Sequence, residues 1–177
     1  MGRGVPAAAL MGRLRTAIQA YTLEGLPAGP LLERLSVFLD TAGRRRYTTL
    51  CYAVYDPAGH RLELANAGHL PPLLSSPSGR ARLLPVHHGL PLGVDAAFAY
   101  AGQTFSVPPG SSLLFYTDGL VEDRGRPLAD RLGALCDALS GCTDPEELCE
   151  RAMSVMAPPD GGDDVALLAL HHPRAAR

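Results

Sequence analysis

The sequence lacks the features that would indicate a membrane-spanning or nucleic-acid-binding protein. No apolar run approaches the roughly 20 residues that cross a bilayer, so we expect no membrane segment. Arg13 and Arg15 interrupt the N-terminal apolar stretch before a signal peptide can form. The formal net charge is -2 at pH 7, and the densest basic cluster is Arg44-Arg45-Arg46, which we interpret as a solvated helix exit. The charge therefore gives no electrostatic case for a nucleic acid partner.

Cysteine is scarce and lacks metal-binding spacing. The chain has 4 cysteines, and no two of them form Cys-x-x-Cys. Three fall in sequence predicted to form or link helices. We expect all of them to be reduced and mostly buried, which predicts a cytoplasmic protein. They are Cys51, Cys136, Cys142 and Cys149.

The length and composition are those of one globular domain. A chain of 177 residues with 46% apolar and 19% charged residues can bury a substantial core. No internal repeat is present, and 19 glycines and 16 prolines indicate many turns. We expect residues 1–172 to form the domain and residues 173–177 a disordered tail.

The period of the hydrophobic pattern changes along the chain. Helical spacing predicts helices over 6–21, 30–41, 128–139 and about 143–156. Alternating or β-favouring sequence predicts strands over 47–55, 61–65, 72–74, 80–84, 103–107, 113–116 and 165–170. The order predicts an α+β layered domain with mostly antiparallel strands. Two capping boxes fit the start of the fourth helix, Thr143 with Glu146 or Asp144 with Glu147.

Two acidic segments at strand ends form the candidate site. Asp118 follows the strand 113–116 and precedes Gly119, which leaves room for a ligand, while Asp163-Asp164 precedes the strand 165–170. If these strands are antiparallel, the carboxylates lie at one sheet edge and could converge on a hard cation such as magnesium or manganese. Asp-Gly and Gly-Gly-Asp-Asp are also ordinary turn sequences, so spacing alone does not choose between a metal site and two turns.

Four short segments occur in a specific order. They are Ala-Asn-Ala-Gly-His-Leu-Pro-Pro at 65–72, Gly-Leu-Pro-Leu-Gly at 89–93, Tyr-Thr-Asp-Gly-Leu-Val-Glu at 116–122 and Asp-Asp-Val-Ala-Leu-Leu at 163–168. Together they resemble the SpoIIE-like branch of the PPM metal-dependent serine/threonine protein phosphatases, over essentially the whole chain. The resemblance implies an αββα sandwich of antiparallel sheets flanked by helices. It also implies a metal-bridged water that attacks phosphoserine or phosphothreonine, with two manganese or magnesium ions in the complete domain.

The resemblance assigns roles to the acidic residues. It implies that Asp118 and Asp163 bind metal, that Glu122 is an auxiliary metal-associated position and that Asp164 supports the site. Two bound cations would lower the pKa of a bridging water and neutralise phosphate oxygens. No catalytic residue beyond the metal ligands is then required, so the cysteines need not act as nucleophiles.

The histidines have competing interpretations. His69 could orient its loop or contact phosphate, but a histidine on a turn is more often structural. For Asn66 we expect hydrogen bonds to the turn backbone rather than to substrate. The pairs at 87–88 and 171–172 invite a zinc interpretation, but neighbours on a strand point to opposite faces, so we expect surface residues.

The N-terminus departs from the family pattern. Members carry Gly-Asp-Val-x-Gly-x-Gly before the first long helix, and its aspartate bridges the two metals. This chain begins Met-Gly-Arg-Gly-Val-Pro and matches only from the fourth position of that segment. We expect an N-terminally truncated domain without its first strands, explained by a late start codon or a shortened product. The exposed edges of the sheet should favour aggregation or a homodimer. Without the bridging aspartate, the phosphatase activity of this chain should be low.

Two functions follow from the sequence. The first is a phosphoprotein phosphatase of bacterial signalling type, whose substrate, by resemblance, is a phosphorylated anti-sigma-factor antagonist. The alternative is a non-catalytic binding module that docks such a partner without hydrolysing it. An in-frame Gly-Asp-Val encoded upstream of Met1 would favour the enzyme.

Overall fold

The chain divides into two compact units in a computed structural model that describes residues 5–41, 47–123, 125–156 and 163–174. The first unit comprises Met1–Asp56, Leu62–His69 and Val86–Phe105. The second comprises Pro57–Arg61, Leu70–Pro85 and Ser106–Arg177. None of the helices in the described ranges combines the length and apolar character needed to cross a membrane.

The first unit combines two helices with a three-stranded sheet. The helices are α1 (Val5–Leu23) and α2 (Ala28–Thr41), and the strands are β1 (Leu50–Asp56), β2 (Arg61–Ala67) and β5 (Gln103–Ser106) in the order β1-β2-β5. The apolar stripes of both helices pack into one core with alanines of β2. The buried helical residues of that core are Leu10, Leu14, Ala28, Leu31, Leu32, Leu35 and Leu39.

The second unit combines two helices with a four-stranded antiparallel sheet. The strands are β3 (Leu73–Ser75), β4 (Arg82–Leu83), β6 (Ser112–Tyr116) and β7 (Leu167–His171), in the order β4-β3-β6-β7. The helices α3 (Leu128–Leu139) and α4 (Pro145–Met156) pack on each other, and α4 packs on β6 and β7. The predicted α+β class is therefore confirmed.

Tertiary hydrogen bonds explain where element ends differ from the sequence prediction. Helix α2 begins two residues before position 30 because Glu63 Oε1 accepts from the Ala28 amide at 2.8 Å. Strand β7 begins at Leu167 rather than at position 165, because the Ala166 amide donates to Thr117 Oγ1 at 2.9 Å. Strand β1 begins at Leu50, three residues later than predicted.

The cysteines and histidines follow the prediction in part. All four cysteines are free, but only Cys142 is fully buried. His87, His88 and His171 are exposed as expected. The prediction is wrong for His172, which is 5% exposed because its ring packs against His60, with Nε2 2.8 Å from Nδ1.

Some predicted features lie outside the described residues. They include the basic triplet at 44–46, the family-like start at 1–4 and the end of the tail at 175–177.

Candidate functional site

Thr117 joins the two acidic segments at one edge of the four-stranded sheet. Strands β6 and β7 are antiparallel, and the last residue of β6, Tyr116, pairs with the first residue of β7, Leu167. Beyond that pair, the Thr117 amide donates to the Ala166 carbonyl at 3.1 Å. The Thr117 hydroxyl accepts from the Ala166 amide at 2.9 Å and donates to the Asp164 carbonyl at 3.1 Å. The strand ends therefore meet as the sequence predicted.

Gly119 is buried where the two segments touch. A Cβ atom at this position would lie 2.6 Å from the carbonyl oxygen of Asp164 and 2.7 Å from that of Asp163. Real Cβ atoms are essentially never so close to backbone oxygens. The sequence interpretation of open room for a ligand at Gly119 is therefore wrong, because that space holds the neighbouring backbone. The glycine allows the two acidic segments to lie in contact.

A short 3-10 turn, Asp118–Leu120, orients the first carboxylate. Asp118 Oδ1 accepts from the Gly119 amide at 3.0 Å, and the Asp118 carbonyl accepts from Val121 and Glu122 at 2.8 and 2.7 Å. The side chains of Asp118 and Glu122 are exposed. The turn thus fixes the backbone of Asp118 while its carboxylate faces water.

The second acidic segment has a similar local arrangement. Asp163 Oδ1 accepts from the Asp164 amide at 3.1 Å, and both side chains are exposed. Packing at Gly119 brings the backbones of Asp163 and Asp164 against the turn that carries Asp118. Within the described part of the chain, however, no three histidine, cysteine or acidic side chains are grouped to hold a metal ion.

The donor chemistry fits a hydrated hard cation. Both segments offer exposed carboxylate oxygens at one sheet edge, which are the ligands that magnesium and manganese prefer. Magnesium commonly keeps several waters and binds through one or two carboxylates. Asp118 and Asp163 are therefore suitable to hold such an ion.

Asn66 and His69 hold a loop of the first unit. The buried Asn66 donates from Nδ2 to the His69 carbonyl at 2.8 Å and accepts from the His69 amide at 2.9 Å. These are the expected bonds from Asn66 to the turn backbone. His69 Nδ1 lies 3.3 Å from Thr49 Oγ1.

The same loop explains why two of the sequence segments occur together. Gly68 has a φ of +68°, which disfavours other residues, and an added Cβ there would lie 2.9 Å from Pro91 Cγ. The Gly89 amide donates to the Asn66 carbonyl at 3.2 Å. The segments 65–72 and 89–93 therefore pack directly on each other.

Sequence reasoning missed one residue beside the acidic turn. Arg131 is 8% exposed, and its Nη2 donates to the carbonyls of Leu120, at 3.3 Å, and Met156. Its position on the apolar stripe of α3, four residues before the buried Leu135, was the available signal. An arginine at a buried helical position indicates specific acceptors.

The family and sequence comparisons agree with this arrangement. The family described as Stage II sporulation protein E (SpoIIE) matches residues 1–173. The phosphoserine phosphatase RsbP of Bacillus subtilis (strain 168) is 29% identical over 127 residues, which cover 69% of this chain and 31% of RsbP. The chain thus spans less than a third of the length of that curated relative.

Solved structures share the fold. The RsbU and RsbW domains of Rv1364c from Mycobacterium tuberculosis match with a TM-score of 0.83 and 31% identity, covering 100% of this chain and 52% of that one. The phosphatase domain of SpoIIE from Bacillus subtilis, presoaked with manganese, matches with a TM-score of 0.63 and 15% identity, covering 99% and 76%. At that identity the second match speaks for the fold alone.

Proposed function

The chain belongs to the Stage II sporulation protein E (SpoIIE) family, and from that premise we propose that the protein is a metal-dependent serine/threonine phosphoprotein phosphatase of bacterial signalling type. The observation that carries the proposal is the junction at Thr117 and Gly119, which holds two acidic segments together at one sheet edge. The likeness to a phosphoserine phosphatase supports it. Because the chain covers 31% of that relative, the activity of the whole protein is an inference.

The acidic residues have distinct proposed roles. Asp118 and Asp163 bind the cation, Glu122 is an auxiliary position and Asp164 supports the site through its backbone contacts. Manganese or magnesium bound there would neutralise charge on phosphoryl oxygens and activate a water. The exposure of the carboxylates leaves this edge accessible to a phosphorylated segment of another protein.

The cysteines support a mechanism without a covalent protein nucleophile. Burial raises the pKa of all four thiols, so they stay protonated near neutral pH and react poorly. Free thiols are also typical of the reducing cytoplasm, where we propose that the protein acts.

The proposed substrate is a phosphorylated anti-sigma-factor antagonist. Similarity to Rsb-type proteins supports a phosphoprotein substrate in sigma-factor regulation. Phosphate release from candidate phosphorylated antagonists identifies which of them is the substrate.

Metal binding by these 177 residues is the first test. Calorimetry with manganese should detect a weak site, because the two acidic segments meet at this edge without a group of three ligating side chains among the described residues. Asp118→Asn or Asp163→Asn should weaken it by about tenfold or more, whereas Asp137→Asn, which removes an exposed partner of Arg80, should not. Equal binding by all the variants would contradict the proposed ligands.

Phosphate release is the second test. The protein produced from its native gene should release phosphate from a serine-phosphorylated antagonist only with manganese or magnesium, and Asp118→Asn should lower the rate by about 100-fold. Equal turnover by Asp118→Asn would refute the proposed role of Asp118. Stable antagonist binding without any turnover would favour a non-catalytic binding module.

A further inference from the structure

Arg131 is a buried cation that has no carboxylate among its hydrogen-bond partners in the described ranges of the chain. It lies on α3 and is 8% exposed. Its Nη2 group donates to the carbonyls of Leu120 and Met156, residues that are themselves almost fully buried. Its Nε is buried and finds no acceptor within the described residues. A buried charge that is only partly hydrogen-bonded destabilises the fold. If position 131 served stability alone, an apolar residue would therefore stabilise the fold more than arginine does.

The two acceptor carbonyls belong to two neighbouring elements. The Leu120 carbonyl lies in the turn that carries Asp118, and the Met156 carbonyl lies at the end of α4. Leu120 is the last residue of the 3-10 turn that begins at Asp118. Met156 is the last residue of α4, and this helix packs on the same 3-10 turn and on β7, the strand that follows Asp163-Asp164. Carbonyls at a helix end lack helical donors and carry partial negative charge, so a guanidinium is a favourable partner.

We propose that Arg131 is a positioning residue that fixes the Asp118 turn against the end of α4. The turn then keeps its contact with the Asp163-Asp164 backbone at Gly119, and this contact sets the spacing of the two metal-binding segments. This inference rests on the proposed function, since it assumes that Asp118 and Asp163 bind the cation. Arg131 itself contacts neither ligand carboxylate, because both of its acceptors are backbone carbonyls. Its contribution is to hold the backbone of the turn from which the Asp118 carboxylate extends.

Backbone amide exchange tests the positioning without any metal. Arg131→Met keeps most of the buried volume and removes the donors, and Arg131→Lys restores one charged donor. Arg151→Met is the matched control, since Arg151 is about half exposed on α4 and pairs with Glu147. At a temperature where all variants keep the same circular dichroism, exchange at Val121 and Glu122 should be about tenfold faster in Arg131→Met. Arg131→Lys should lie between, and unchanged exchange in Arg131→Met would overturn the proposal.

Manganese affinity separates positioning from plain stabilisation. Under the same folded conditions, calorimetry should give an affinity about tenfold weaker for Arg131→Met and unchanged for Arg151→Met. A lowered unfolding temperature with unchanged affinity would mean that Arg131 only stabilises the unit, and would overturn the proposal.

The two readouts also separate failure of this inference from failure of the proposed function. If the unmodified chain binds no manganese, the assignment of Asp118 and Asp163 fails, and the claim about their spacing as ligands fails with it. Faster exchange in Arg131→Met would then still assign Arg131 to the turn. If the chain binds manganese and Arg131→Met does so equally well, the proposed function stands and only the positioning role is refuted.

Discussion

Gly119 lies where the two acidic segments touch. Any side chain here must displace the carbonyls of Asp163 and Asp164, which are backbone atoms and cannot rotate away. We expect Gly119→Ala to lower the free energy of unfolding by about 1–3 kcal/mol, as overpacking in a buried position does. It should also weaken manganese binding, because the segments must separate. Urea unfolding and calorimetry measure the two effects.

Gly133 provides the matched control for that substitution. It lies in α3, and apart from the backbone of its own helix and its chain neighbours nothing lies within 4 Å of an added Cβ. Gly133→Ala should therefore raise the free energy of unfolding by about 0.5–1 kcal/mol, since alanine favours a helix over glycine. If both alanine variants changed the free energy of unfolding in the same direction, the close contact at Gly119 would not explain the stability change caused by Gly119→Ala.

At this scale the sequence predicts the placement of the acidic residues better than their contacts. Asp118 and Asp163 lie at one sheet edge because the antiparallel strands β6 and β7 end beside them, and their role as ligands stays a prediction. The roles of Thr117 and Arg131 do not follow, because their partners lie more than ten residues away along the chain. Such partners depend on the packing of several elements, which periodicity does not specify.

The fourth helix shows which of two local signals caps an element. Asp144 Oδ1 accepts from the amides of Glu146 and Glu147 at 3.0 and 2.9 Å, whereas the backbone carbonyl of Thr143 accepts from Ser112. We expect Asp144→Ala to cost about 1 kcal/mol of unfolding free energy, the usual value of a lost N-cap. Thr143→Ala should cost clearly less. Urea unfolding measures the free energy of unfolding of both variants. An equal or larger loss of that free energy in Thr143→Ala would contradict the assignment of Asp144 as the cap.

Element positions follow from periodicity, but their ends depend on tertiary partners. The helix predicted over 128–139 has those bounds in the structure, between Pro127 and Ser140, although its buried face includes Arg131. The start of α2 depends on Glu63, which lies on a strand 35 residues away. The start of β7 depends on the hydroxyl of Thr117. Neither interaction leaves a local pattern.

For the whole molecule, the sequence predicts the class and not the division into units. The change from helical to alternating periods predicts an α+β protein, and the structure has that composition. Each unit, however, is built from three separate stretches of chain. Hydrophobic periodicity marks a buried face but does not say which core receives it, so the division could not be predicted.

Thiol and phenol ionisation should make the folded chain sensitive to alkali. Burial raises the pKa of Cys51 from 9.0 to about 12, and that of Tyr116 above its ordinary value. Between pH 9 and 12 the folded state therefore keeps a proton at Cys51 that the unfolded state releases. The free energy of unfolding must then fall as pH rises, by at most about 1.4 kcal/mol per pH unit for one group.

Urea unfolding between pH 7.5 and 10.5 measures this dependence, and two variants on β1 identify its source. Cys51→Ala should be less stable at neutral pH but should lose stability less steeply above pH 9, because the group that holds the proton is absent. Val54→Ala, at an exposed position of the same strand, should leave the slope unchanged. If Cys51→Ala left the pH dependence of the free energy of unfolding unaltered, the Cys51 thiol would ionise equally readily in the folded and unfolded chains. That result would contradict the raised pKa of Cys51 in the folded chain.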